Sequence, residues 1–148
     1  MEFRLVSNFK EAETLFSKLD YNKQKNVLKS AVRQTIKPVL TLARGNLRAN
    51  TNSITGNAYK SLGINSYRRK VGMVVGARIK QPYVGYYSKF LDSGTVDRYH
   101  KKNRKYIGKI KPNNFFEDAV QSSNVMNGES LQRNVIQAIN KYIMKGKI

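Results

Sequence analysis

Cysteine and tryptophan are absent from the 148 residues, and histidine occurs once, at His100. Without cysteine there is no disulfide framework and no thiolate zinc site, and one imidazole leaves little with which to build a metal centre. A Ser-His-Asp relay would have to use His100, which lies in a run of lysines with no Gly-x-Ser-x-Gly turn to serve. Long apolar runs are missing too. The opening MEFRLVSNFKEAE has no hydrophobic leader core, and no stretch approaches the roughly 18 residues that a spanning helix needs. These absences read as a soluble protein made in a reducing cytoplasm, with no metal, no cofactor and no membrane partner.

Acidic residues are scarce as well. Nine Asp and Glu stand against 28 Lys and Arg, a formal charge of +19. Between Asp20 and Asp92 there is no acidic residue, while fourteen Lys and Arg fall in that interval. A metal-dependent nuclease needs carboxylates to hold hard cations, and Asp92, Asp97, Glu117 and Asp118 are the only neighbouring candidates. Glu117 and Asp118 serve more simply as first-turn acids that offset a helix dipole. Neither GxGxxG nor GxxxxGK[ST] occurs, so no phosphate-cradling loop is written in the chain. The expectation is therefore not an enzyme. What remains is a positive field that attracts polyanions or acidic protein surfaces, if it is more than a solvated exterior. Its densest part runs from Arg98 through Lys101, Lys102, Arg104 and Lys105 to Lys109 and Lys111.

Periodicity places helices at both ends. Phe9, Ala12, Leu15, Phe16 and Leu19 have helical spacing after a capping Asn8, which predicts a short helix over 8–19. A break at Asp20-Tyr21-Asn22 precedes a longer helix over about 23–48, with Leu28, Val32, Ile36, Val39, Ala43 and Leu47 on one stripe. Pro38 should kink or divide it, and Asn50-Thr51-Asn52-Ser53 ends it. The period then changes: 61–67 and 71–78 read as two strands joined by Arg68-Arg69-Lys70 and closed by Gln81-Pro82. A basic loop or arm follows over about 96–111, within which residues 105–110 alternate like a further strand. Asn114 and Glu117 suggest a capping box. A polar linker, SSNVMNGES (122–130), leads to a last amphipathic helix at about 129–145. The order describes a single α+β domain: N-terminal helices, a β-hairpin-based antiparallel sheet, a short aromatic helix and a C-terminal helix.

The aromatic stretch is YVGYYSKFLDSGT, residues 83–95. Tyr83, Tyr86, Tyr87, Phe90 and Leu91 share one helical face, which favours core packing over a base-stacking surface, and Gly94 supplies a stop. A strand over the same residues fits less well. No zinc finger, RNP-type or recognition-helix pattern accompanies it, so any nucleic-acid contact is expected to go to phosphates without sequence readout.

Taken in order, these segments resemble the HK97 gp10-like family of tailed-bacteriophage neck and tail-completion proteins. The family pattern runs from a long helix to Thr-Gly-x-x-x-x-Ser, a hairpin, Tyr-Tyr-x-x-Phe-x-Glu-x-Gly-Thr and a Pro-Phe-containing helix start. Here Thr55, Gly56 and Ser61 match the first motif. Tyr86, Tyr87, Phe90, Asp92, Gly94 and Thr95 match the second, with Asp92 where the signature has Glu. The segment 112–119, with Phe115 and Phe116, resembles the helix start. The likeness spans about 25–122; the proline before the Thr-Gly element is missing, and the basic segment after Thr95 is longer than the pattern.

The resemblance implies a virion structural protein, made in a bacterial host's cytoplasm, that joins head to tail as a subunit of a hexameric or dodecameric ring. Its partners would be copies of itself, neighbouring neck, portal or tail proteins, and the viral DNA passing through. In that reading the aromatic helix packs on the sheet, Asp92 caps or pairs with a nearby Arg or Lys, and the Gly94-Thr95 turn aims the basic arm. The reading from charge alone is a small nucleic-acid-binding protein without sequence preference.

Overall fold

The computed structural model describes residues 7–51, 56–68, 70–78, 85–123 and 128–145. Expectations for Asn52, Ser53, Thr55, Arg69, Gln81-Pro82, Tyr83 and residues 124–127 of the polar linker fall outside them. The fold is α+β and mostly helical, as the order of segments implies: six helices and two small antiparallel sheets of two strands each, in the described residues. The elements are α1 (Phe9–Ser17), α2 (Tyr21–Ala49), α3 (Asn57–Ser61), β1 (Leu62–Ser66), β2 (Met73–Ala77), α4 (Ser88–Ser93), β3 (Arg98–Tyr99), β4 (Tyr106–Gly108), α5 (Phe115–Ser122) and α6 (Glu129–Met144). The chain falls into two compact units. One comprises the described residues of Met1–Pro38, Ile64–Val74 and Asn124–Ile148; the other comprises those of Val39–Gly63 and Val75–Ser123.

In the first unit, Asn8 caps α1 by accepting a hydrogen bond from the Glu11 N–H at 2.8 Å, which satisfies one of the donors a helix start leaves open. The end of α1 is closed from outside. Gln24 Nε2 donates to the Phe16 and Leu19 carbonyls at 3.1 and 3.0 Å. The break between α1 and α2 is therefore a single tight corner. Asp20 accepts from the Lys23 N–H at 2.9 Å and starts α2 two residues earlier than the apolar period suggests. Ala12, Leu19, Val27, Ala138 and Ile139 form the core, with Leu15, Phe16, Val135 and Tyr142 packed around them. Fully burying a Val, Leu or Ile contributes about 1.5–3 kcal/mol each, so this cluster is what holds α1 against α6. Asn134 Nδ2 donates to the buried Thr35 hydroxyl at 2.9 Å, and that hydroxyl donates in turn to the Ala31 carbonyl at 2.9 Å.

The helix α2 runs unbroken through Pro38. Its buried positions differ from the expected stripe. Val27, Ala31 and Thr35 are buried in the first unit where Leu28, Val32 and Ile36 had the stronger apolar signal, and those three are half-buried. In the second unit Val39, Ala43 and Leu47 are buried as the period implies.

Ala58, Leu62, Val75, Phe115 and Ala119 are the other buried apolar residues of the second unit. Two side chains of α2 reach across the unit: Arg44 Nη2 donates to the Leu62 carbonyl, and Asn46 Nδ2 donates to the Phe115 carbonyl at 3.2 Å. Ladder bonds from the Tyr67 N–H to Gly72 O at 3.1 Å and from the Arg78 N–H to Ser61 O at 2.9 Å bracket the β1–β2 pairing.

Candidate interaction site: a clasp beneath a basic hairpin

The segment expected as a loop or arm is a second hairpin. Arg98 pairs with Gly108 and Tyr99 with Tyr106, so Ile107 is an extra residue on β4, a bulge that sharpens the local twist. The turn is tied by His100 N–H to Lys105 O at 2.7 Å, Arg104 N–H to His100 O at 2.9 Å, and Lys105 N–H to the Asn103 side chain at 3.1 Å. Arg104 adopts φ +54°, a left-handed conformation that non-glycine residues seldom hold. Short strands made the alternation at 105–110 readable, whereas the two-residue β3 carries no period at all.

Below the hairpin, the motif that precedes it grips the segment that follows. The Thr95 N–H donates to Ile110 O, and the Ile110 N–H donates to Thr95 Oγ1, both at 2.9 Å. Gly94 sits at φ +74°, and a Cβ there would lie 2.9 Å from Pro112 N and from Ile110 O. No side chain fits. Asp92 then works through both its ends. Its carbonyl accepts from the Asn113 and Asn114 N–H groups at 3.2 Å, and Oδ1 accepts from the Phe116 N–H at 3.0 Å. The expected Asn114–Glu117 capping box does not form. Asn114 has φ +48° and its side chain makes no cap, because a cap residue needs extended backbone to bring its oxygen back over the first turn. Asp92 and Asn113, whose Oδ1 accepts from the Phe115 N–H at 3.2 Å, take that role.

The aromatic run departs from its expected helix. The Gly85 N–H is bonded to Arg78 O at 2.9 Å, so the backbone still pairs with the end of β2 there and α4 starts only at Ser88. With the start so late, the spacing no longer puts the rings on one buried face. Tyr86 is 62% exposed and Phe90 46% exposed, Tyr86 meeting Tyr87 edge-on at 5.7 Å. Half-buried Tyr87 is the N-cap of α4. The expectation of an aromatic face packed into the core is corrected: the buried residues are Gly85 and Ser88, whose hydroxyl donates to Gly85 O at 2.7 Å.

The Thr-Gly-x-x-x-x-Ser match connects to the same place. Gly56 is the N-cap of α3, and Ser61, fully buried at the end of that helix, donates its hydroxyl to Ala58 O at 2.6 Å. Ser61 lies directly against Gly85, where an added Cβ would come within 1.8 Å of Ser61 Oγ. A cleft of about 350 Å³ opens beside this contact, lined by Leu62, Val75, Lys89, Asp92, Phe115 and Phe116 among others. So Asp92, Phe115 and Phe116 share the cleft with Tyr86; Gly94 and Thr95 press on 110–112, and Ser61 abuts Gly85, while the Tyr86 and Phe90 rings stay largely exposed. Gly85, Ile110 and Asn113 were not singled out in the sequence, and only the glycine had a local cue, its place at the head of the aromatic run.

The basic residues Arg98, Lys101, Lys102, Arg104, Lys105, Lys109 and Lys111 are all exposed. Arg98 Nε donates to Gly108 O at 3.3 Å. Asp97 is the one carboxylate on the hairpin. It accepts from the Tyr106 hydroxyl at 3.3 Å and faces Lys109 Nζ at 3.8 Å. Lost hydration, and then the Asp97 charge, raise the Tyr106 phenol above its ordinary value of 10.0. Tyr99 and Tyr106 meet at 5.5 Å and 60°, and are 58% and 52% exposed. Among the described residues no group of three or more His, Asp or Glu could hold a metal ion, and no helix is long and apolar enough to cross a membrane.

Compared with protein-family models, curated proteins and solved structures, the chain matches none.

Proposed function

We propose that this protein is a structural subunit of a tailed-phage virion, a neck or tail-completion protein that joins head to tail as part of a ring. The observation that carries the reading is the mutual bonding of the motifs on which the resemblance rests. Asp92, Gly94 and Thr95 of the second motif hold 110–116, the residues that lead into and open the third, while Ser61 of the first abuts Gly85, the residue just before the second. Geometry explains the spacing of such a motif: it fixes where a projecting hairpin leaves a rigid body. In a ring, contacts made between unlike patches of neighbouring copies close on themselves, and a clasped hairpin is a projection that such contacts can use. No reacting group is required of any residue in this scheme.

Peptide mass spectrometry on density-purified phage particles from the culture that carries this sequence tests the reading. The chain is expected in particles at a few to a dozen copies each, a number set by ring symmetry. Its presence in infected cells together with its absence from purified particles would overturn the proposal.

A further inference from the structure

We infer that the β3–β4 hairpin is a binding surface for the phosphate backbone of a polynucleotide. Three features of the hairpin point there. First, its positive charge is almost uncompensated: among the described residues its one ion pair is Lys109 with Asp97, with both side chains half exposed. Arg98, Lys101, Lys102, Arg104 and Lys105 face no carboxylate of the described residues within ion-pair distance. Second, five of its seven basic residues are lysines. Lysine is depleted in protein–protein interfaces, where arginine and aromatic anchors dominate, but it is an ordinary point-charge contact for phosphate. A polyelectrolyte asks only for charge within reach of its oxygens, and gains from releasing its counterions.

Third, the shape fits. An antiparallel ribbon of two strands is one of the elements the major groove of a duplex admits. The turn at 101–103 puts Lys101 and Lys102 at the tip, and the clasp of Thr95 on Ile110 anchors the base. The exposed Tyr99–Tyr106 pair offers rings on which the bases of a single strand can stack. An acidic protein is the competing occupant. It would use the charge but has no need of lysines free of fixed geometry. Binding by the isolated chain does not depend on incorporation into a virion, so absence of the protein from particles would leave the phosphate site standing.

Fluorescence anisotropy of the full chain with a labelled DNA duplex and the matching single strand, across about 50–200 mM salt, tests it. Two variants decide the outcome. One carries Lys101→Gln, Lys102→Gln, Arg104→Gln and Lys105→Gln. The other removes the same charge elsewhere through Lys10→Gln, Lys18→Gln, Lys141→Gln and Lys145→Gln, all exposed positions in the other unit. For every phosphate that a variant no longer reaches, the slope of log affinity against log salt should flatten by about 0.9 for a duplex and 0.7 for a single strand. The hairpin variant is expected to lose about 2–4 units of slope, and the control less than about one. Both should keep the parent's unfolding midpoint. Single-strand affinity that also falls in Tyr99→Leu assigns the rings to stacking, and duplex binding unaffected by that change assigns the ribbon to a groove. Equal loss in the two charge variants, no binding by the parent chain, or displacement of DNA by polyglutamate at equal charge would each overturn the inference.

Discussion

Asp92 Oδ1 accepts the backbone N–H of Phe116 at 3.0 Å, so a residue in the last turn of α4 caps a helix that begins more than twenty positions later. A carboxylate at that position also faces the positive end of the α5 dipole. Asp92→Ala should therefore lower stability by about 1–2 kcal/mol, the range for losing a cap. Asp92→Asn keeps an acceptor and should cost less than half as much. Urea midpoints of the three proteins check this. Equal losses in the two variants would show that the charge, and not the acceptor, does the stabilising.

Gly85 and Ser61 make a contact with no slack. In Gly85→Ala the new methyl would come within 2.4 Å of Ser61 Cβ, so a loss of about 1–3 kcal/mol is expected, as for other overpacked sites. Ser61→Gly would be destabilising alone, through the buried hydroxyl and the helix end. Combined, the two changes should be less damaging than their sum, with a coupling of about 0.5–3 kcal/mol for residues in contact. A double-mutant cycle in urea that closes with simple additivity would refute the contact.

Sequence patterns reached as far as single elements, and stopped where a bond spans them. The N-cap and the inward face of α1 were legible because Asn8, Ala12 and Leu15 act within one helical segment, whereas its far end is closed by Gln24 of the next helix. The length of α2 and the hairpin β1–β2 were legible for the same reason. At α5 the local rule failed. Asn114 with Glu117 has the right spacing for a capping box, yet the turn set up by Asp92 forces Asn114 to φ +48° and takes over its role. The aromatic run failed similarly, since the bond from Gly85 to Arg78 holds the chain out of a helix until Ser88. Charge marked the basic segment and alternation marked its second strand, while the closure of the hairpin's base depends on Thr95 and Ile110, fifteen residues apart.

Asp20 offers a pH test. The Lys23 N–H that it accepts holds its carboxyl below the ordinary value of 3.8, against a smaller opposing effect of lost hydration. A group whose folded-state value is depressed contributes stability that is present above the unfolded value and is lost as pH falls through the folded one. The contribution should thus be complete at neutral pH and disappear only below 3.8. Asp20→Asn, which can still accept from Lys23, removes the titration but not the bond. Thermal unfolding of the two proteins from neutral to acid should show a gap that closes below that pH. A gap that stays constant would mean that Asp20 gains nothing from its charge.

Thr95 decides whether the hairpin stands on a fixed base. Its hydroxyl is the acceptor for the Ile110 N–H, and its own N–H returns a bond to Ile110 O. Thr95→Val keeps the shape and the backbone bond while leaving the Ile110 N–H without its partner, and a hydrogen bond of this kind contributes about 1 kcal/mol. Amide exchange at Ile110 should then speed up by roughly five- to tenfold if local opening controls it, with Thr95→Ser restoring protection. Exchange at amides of α6, in the other unit, should not change. Protection at Ile110 that is indifferent to Val would place the anchor in the backbone pair alone. Loss of protection throughout the second unit would instead make Thr95 a keystone of the whole unit rather than of the hairpin, so comparing the two sets of amides separates a local hinge from a global fold effect.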